Sequence, residues 1–272
     1  MKPRPFDYIR PDTVDEVLAL LAEYGDDARI LAGGQSLIPM LNLRLIEASV
    51  LIDISRIAEL DTIRSDGALQ VGAAVTQNKL LAWPDLARDF SLIAAGLPFV
   101  GHFQTRNKGT VCGSIAHADP SSELPLLLAM YGGEVVLRAQ KRGERAVPAE
   151  DFHKDMLTTA REPDELIVAV RFPQRVKERA AFREIARRHG DFAIIAVAAA
   201  AGANGAIRLG VGGMAGRPMT RAIAARNAAG AADAIGQWAQ ELEGYDDLHA
   251  SAALRRDIFR KLAANVVAEV RP

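Results

Sequence analysis

Residues 31–37 read Leu-Ala-Gly-Gly-Gln-Ser-Leu, and residues 109–125 read Gly-Thr-Val-Cys-Gly-Ser-Ile-Ala-His-Ala-Asp-Pro-Ser-Ser-Glu-Leu-Pro. The first stretch follows a short apolar run from Arg29 to Ala32, which reads as a strand entering a tight turn. A short helix then starts at Ser36 or Leu37, with Pro39 in its first turn. Two glycines at such a turn let backbone approach a ligand closely. Their amides, with the Ser36 hydroxyl, can hold a phosphate. The spacing is neither that of a dinucleotide-binding G-x-G-x-x-G nor that of a P-loop, and a plain strand-to-helix turn explains the glycines equally. In the second stretch, small residues admit a flat or extended ligand. Hydroxyls and amides suit phosphate, and the carboxylates Asp119 and Glu123 suit ribose or ribityl hydroxyls. The bland reading is a Gly/Ser loop followed by a helix capped by Ser121 or Ser122. One ligand touching both loops would be long, with a pyrophosphate at its middle: a dinucleotide held without a Rossmann fold.

Outward from these loops, Thr13 to Glu16 form a capping-box pattern. Val14, Val17, Leu18, Leu21 and Tyr24 then recur at helical spacing, and Gly25 can end the helix. Val50 to Ile54 and Ala68 to Ala73 read as strands, Gln77 to Trp83 and Asp85 to Gly96 as helices, and Thr110 to His117 as a loop of small residues. Glu123 to Tyr131 is helical and Gly133 to Ala139 a strand. Glu165 to Phe172 alternates and ends at Pro173, which suits a strand edge. From about Arg175 the texture changes to a meander of strands, Ala180 to Arg188, Phe192 to Gly202 and Ala206 to Met214. Asn204-Gly205 marks the second turn as a hairpin. Two helices follow, Ala222 to Leu242 and Leu248 to Val270.

The 272 residues are 49% hydrophobic and 25% charged, with a formal net charge of −1, so a packed core is expected. Nothing in that charge favours nucleic acid or an anionic membrane. The single cysteine, Cys112, excludes a disulfide within the chain and a four-cysteine iron–sulfur cluster. The N-terminal residues carry no apolar signal core, and Phe192 to Ala203 is too short to span a bilayer as a helix, so a cytoplasmic protein is expected.

The two loops in this order, with Phe6-Asp7-Tyr8 before them and AFREIARRHGDFA (181–193) and DLHASAALRR (247–256) after, resemble the FAD-binding medium subunit of the molybdenum hydroxylases. That family includes the medium chain of aerobic carbon monoxide dehydrogenase and the flavin subunits of bacterial xanthine and N-heterocycle dehydrogenases. The likeness runs over essentially the whole chain. It implies an α+β fold: an FAD-binding domain of the vanillyl-alcohol-oxidase (PCMH) type over 1–175, in subdomains of about 1–56 and 57–175. A C-terminal α+β domain of the carbon monoxide dehydrogenase flavoprotein type over 176–272 completes it. FAD would lie extended between them. Carried over by position, Leu31, Ala32, Gly33, Gly34, Gln35, Ser36 and Leu37 would wrap the pyrophosphate. Thr110, Val111, Cys112, Gly113 and Ser114 would form its second wall. Arg29 would lie near the adenine, and Asp119 and Glu123 would accept from sugar or ribityl hydroxyls. Leu166 would touch the isoalloxazine rim, Arg183 would face its pyrimidine edge, and Asp191 and Phe192 would cover the ring. The chain departs from the family where two glycines are common (Cys112-Gly113), where some relatives have tyrosine (Phe192) and where an aromatic is common (Leu254).

The resemblance implies electron transfer. Substrate would be hydroxylated at molybdopterin on a large partner subunit. Electrons would pass through [2Fe-2S] clusters of a small partner to FAD on this chain, then to an external acceptor, in a dimer of heterotrimers. No catalytic acid, base or metal ligand is expected here, since the five histidines lack metal-ligand spacing. Cys112 reads as a packing residue and His117 as a hydrogen-bonded loop histidine. Two other classes stay open: a stand-alone FAD oxidase of a small organic substrate, and a nucleotide-binding module without redox chemistry. Such a module would need both glycine loops but not Leu166, Arg183 or Asp191.

Overall fold

The computed structural model describes residues 2–175, 178–202, 205–223 and 228–271. The chain opens with a three-stranded parallel sheet in which Val50–Asp53 lies between Asp7–Ile9 and Ala28–Leu31. The helix Val14–Tyr24 covers it. Thr13 accepts from the Glu16 amide and Glu16 reaches back, so both halves of the capping box form, and Val14, Val17, Leu18 and Leu21 are buried. A five-stranded antiparallel sheet follows, in the order Ile63–Ser65, Ala68–Gly72, Glu165–Pro173, Glu134–Ala139, Gly143–Pro148. Glu165–Pro173 is therefore its central strand. Pro173 is the last paired residue, opposite Ala68, where the missing N–H ends the ladder rather than interrupting it.

Beyond residue 178 a four-stranded antiparallel meander, Arg179–Ile185, Ile195–Ala201, Ile207–Gly212 and Met219–Ile223, packs on the helices Ala228–Glu241 and Ala252–Val270. The strand Ile195–Ala201 is buried on both faces, and its alternation sorts the two cores. Ile195, Val197, Ala199 and Ala201 join the cluster around Trp238 and Phe259, whose rings meet edge to face at 5.2 Å. Ala196, Ala198 and Ala200 face the larger cluster that contains the helix Glu123–Tyr131. Small side chains let sheet and helix approach closely. A β-carbon on Gly210 would overlap the Met130 side chain.

Several elements differ from the sequence reading. Asp85 to Gly96 is two helices, Leu86–Asp89 and Ser91–Gly96, broken at Phe90, whose ring is buried between Trp83 and Tyr131. Thr110 to His117 is not a loop but the helix Val111–His117. Thr110 caps it by accepting from the Gly113 amide at 2.9 Å, and Ala118 closes it in a left-handed conformation. Ala222 and Ile223 end a strand, and the following helix is described from Ala228 to Glu241. The last helix starts at Ala252 with Ser251 as its cap, leaving Leu248 fully exposed outside it. Asn204 of the expected hairpin turn lies outside the described residues, although the strands on either side of it do pair antiparallel. No helix among the described residues is long and apolar enough to cross a membrane.

Candidate functional site

One cleft of about 600 Å³ gathers both glycine loops. Its first wall is the turn between the strand Ala28–Leu31 and the helix Leu37–Asn42. Ile38 and Met40 donate back to Gly34 and Ser36 as that helix begins. Ser36 sits at the cap position but makes no side-chain cap bond, which leaves its hydroxyl to the cleft it lines. Gly34 has φ of 70°, a conformation that favours glycine. Gly33 is required by contact instead. A β-carbon there would lie 2.8 Å from the Gly109 Cα and closer still to the Lys108 carbonyl oxygen. The two glycine loops therefore touch backbone to backbone.

The second wall is the start of the helix Val111–His117. The segment before the helix Gln77–Leu81 fastens it: Val111 donates to Val75, Gln77 donates to Gly109, and Thr76 bridges Thr110. Gly113 has a local cause, since a β-carbon would stand 2.7 Å from the capping Thr110 hydroxyl. Cys112 is buried, and burial pushes its thiol up to about 12, so it stays protonated at neutral pH. Burial holds His117 below its ordinary value, hence neutral near pH 7. Its ring lies 6.4 Å from that of Phe192, which is half exposed and also lines the cleft. Glu123 is buried, and burial with the nearby Asp119 pushes it up to about 7.

Of the residues singled out from sequence, Arg29, Ala32, Gly33, Gly34, Gln35, Ser36, Leu37, Thr110, Cys112, Gly113, Ser114, Glu123, Leu166, Asp191 and Phe192 line this cleft. Leu31, Val111, Asp119 and Arg183 are not among the lining residues. Val111 is wholly in the core. The Asp119 carboxylate is used within its own turn, accepting from the Ser121 amide at 2.8 Å. Arg183 projects from an exposed strand position and pairs with Glu269 of the last helix at 2.9 Å. Sequence reading missed Gln77 and Arg161, both lining the cleft. Arg161 is fixed by donating to the carbonyls of Glu162, Pro163 and Glu165. It stands near Arg29, and Glu165 beside it is clasped through both oxygens by Arg145. Neither residue sits in a motif, so only the fold could find them. Gly190, with φ of 85°, was also missed. It packs on His102 and carries the chain into Asp191 and Phe192.

Comparison with known proteins agrees with this geometry. Residues 4–175 match the family described as the FAD binding domain in molybdopterin dehydrogenase. The chain is 39% identical over 205 residues to the caffeine dehydrogenase subunit beta of Pseudomonas sp. strain CBB1, covering 75% of this chain and 70% of that one. It is 37% identical over 195 residues to the carbon monoxide dehydrogenase medium chain of Hydrogenophaga pseudoflava, covering 71% and 68%. Among solved structures, quinoline 2-oxidoreductase from Pseudomonas putida 86 superposes with a TM-score of 0.92 at 34% identity, over 99% of this chain and 98% of that chain.

Proposed function

The chain belongs to the family of FAD-binding domains in molybdopterin dehydrogenases, oxidoreductases in which it is a medium subunit, and from that premise we propose that it is an electron-exit subunit. In this reading, electrons reach it from [2Fe-2S] clusters of a small partner and leave to an external acceptor, while substrate is oxidised at molybdopterin on a large partner. The assembly is a cytoplasmic dimer of heterotrimers. The observation that carries the cofactor's seat is the contact of Gly33 with Lys108 and Gly109, which brings two amide-rich loops to one cleft that continues to Leu166 and Phe192. FAD, when bound, supplies the redox chemistry.

The chain's own residues position it. The loops Ala32–Leu37 and Thr110–Ser114 hold the pyrophosphate through amides and the Ser36 hydroxyl. Glu123 binds a hydroxyl of the ribityl or ribose. Asp191 and Phe192 cover the ring, and Arg29 lies toward the adenine. The Cys112 thiol, held protonated by burial, is a packing residue of the second loop in this reading and not a nucleophile. Residues 1–175 form the FAD-binding domain in this proposal and 176–272 the second domain. The separate cluster around Trp238 supports that division.

The test is to purify the chain with its co-expressed neighbours, record the absorbance spectrum and identify the partners by mass. Flavin bands near ~370 and ~450 nm, together with a cysteine-rich small chain and a large chain, are the expected result. A chain that takes up no flavin even on reconstitution would overturn the proposal.

A further inference from the structure

Gln77 is the first residue of the helix Gln77–Leu81, and its backbone amide donates to Gly109 at 2.9 Å. Its side chain is 4% exposed yet lines the cleft. Nε2 makes one long contact, 3.5 Å to the Thr110 carbonyl, and Oε1 has no hydrogen-bond partner among the described residues. Buried side-chain oxygens are rarely left so, because desolvation without a partner is unfavourable. The surroundings are built around this amide. A β-carbon on Gly109 would lie 3.3 Å from both Nε2 and Oε1, so glycine there gives it room. Gly109 in turn is the residue on which Gly33 rests. Gln77 thus stands at the seam of the two glycine loops, with an unused acceptor.

An acceptor at this point cannot serve a phosphate oxygen, which is itself an acceptor. It matches a hydroxyl donor directly next to the phosphates. We propose that Gln77 is a further binding residue of the cleft, its Oε1 accepting from a sugar or ribityl hydroxyl that flanks the pyrophosphate. The inference rests on the cleft being the seat of FAD. It also makes the cofactor complete the hydrogen bonding of a buried group, so binding and folding are coupled through this residue.

The full chain, stripped of nucleotide and titrated with FAD, tests this in the wild type and in Gln77→Leu and Gln77→Met. Both variants fill similar space without an amide. The expected result is a roughly tenfold rise in the FAD dissociation constant, while the melting temperature of the FAD-free protein is unchanged or higher, because the orphaned oxygen is gone. A purely structural amide would give the opposite pattern: a lower melting temperature without FAD and affinity within twofold of wild type. That pattern overturns the inference. Wild-type chain that binds no FAD overturns the flavin reading and this inference with it. Wild type that binds while both variants bind equally well overturns the inference alone.

Discussion

Gly33→Ala is the most informative substitution. A β-carbon at residue 33 would lie 2.8 Å from the Gly109 Cα and from the Lys108 carbonyl carbon, below the 3.0 Å that real β-carbons respect, and it would overlap the Lys108 oxygen outright. Both obstacles are backbone, held by the Gln77–Gly109 and Val75–Val111 hydrogen bonds, so no side chain can swing aside. The loops must part by the better part of an ångström. Overpacking of this kind costs about 1–3 kcal/mol. Much of that falls on the bound state, because a ligand bridging both loops fixes their separation. The expected outcome is an FAD dissociation constant raised about ten- to a hundredfold and a lower melting temperature, read by flavin fluorescence titration and thermal denaturation. Affinity within twofold of wild type would refute the idea that contact between the loops shapes the binding site.

Three further outcomes are expected. Gly236 lies inside the helix Ala228–Glu241, and a β-carbon there would meet no neighbouring atom within 4 Å, so Gly236→Ala should stabilise by about 1 kcal/mol, measured by urea unfolding. Arg255 is buried, donates to the carbonyls of Tyr245, Ile194 and Gly213, and pairs with Asp247 at 2.6 Å, so Arg255→Met should destabilise by about 3 kcal/mol. No loss of denaturation midpoint would show these bonds to be replaceable. Burial pushes Glu184 up to about 8 and Glu123 up to about 7, each further raised by a neighbouring carboxylate, and Glu184 Oε2 has no partner among the described residues. Both hold protons in the folded chain that the unfolded chain has released above its ordinary value of 4.5. Their contribution therefore falls as pH rises from 4.5 through about 8. The buried His117 and His153 have lowered values, so they act below 6.5, outside the window from 7 to 9. Glu184→Gln should flatten the loss of stability between pH 7 and 9, and an unchanged slope would contradict the assignment.

The parts of the site legible in the sequence are those written by backbone needs. Gly33-Gly34 and Gly113 announce close approach and tight turning, and each has a steric or conformational cause in the structure. The Thr13 capping box is legible for the same reason: its partners are local. Thr110 to His117 misleads because small residues suggest a loop, whereas Thr110 supplies the cap and the small side chains let the helix lie against the sheet, with the Cys112 thiol 3.5 Å from the Val71 carbonyl. Pro173 is legible as the end of its strand, but the strand's place at the centre of the sheet is not, because the pairing partners are far away in sequence. Gln77 and Arg161 carry no signal at all. Gln77 matters through a partner thirty-three residues away, and Arg161, though held by carbonyls within four residues, matters because the fold sets it in the cleft wall. The pairing of Arg183 with Glu269 is likewise invisible in the sequence, because eighty-six residues separate the two.

A chain that relays electrons without oxidising substrate itself should keep its flavin oxidised when substrate meets it alone. The direct test is to load the full chain with FAD, add the substrate of the co-purified complex without oxygen, and follow the flavin absorbance with and without the partner subunits. Bleaching only when the partners are present is the expected result. Bleaching of the flavin on the isolated chain would contradict the relay and make the protein a free-standing oxidase.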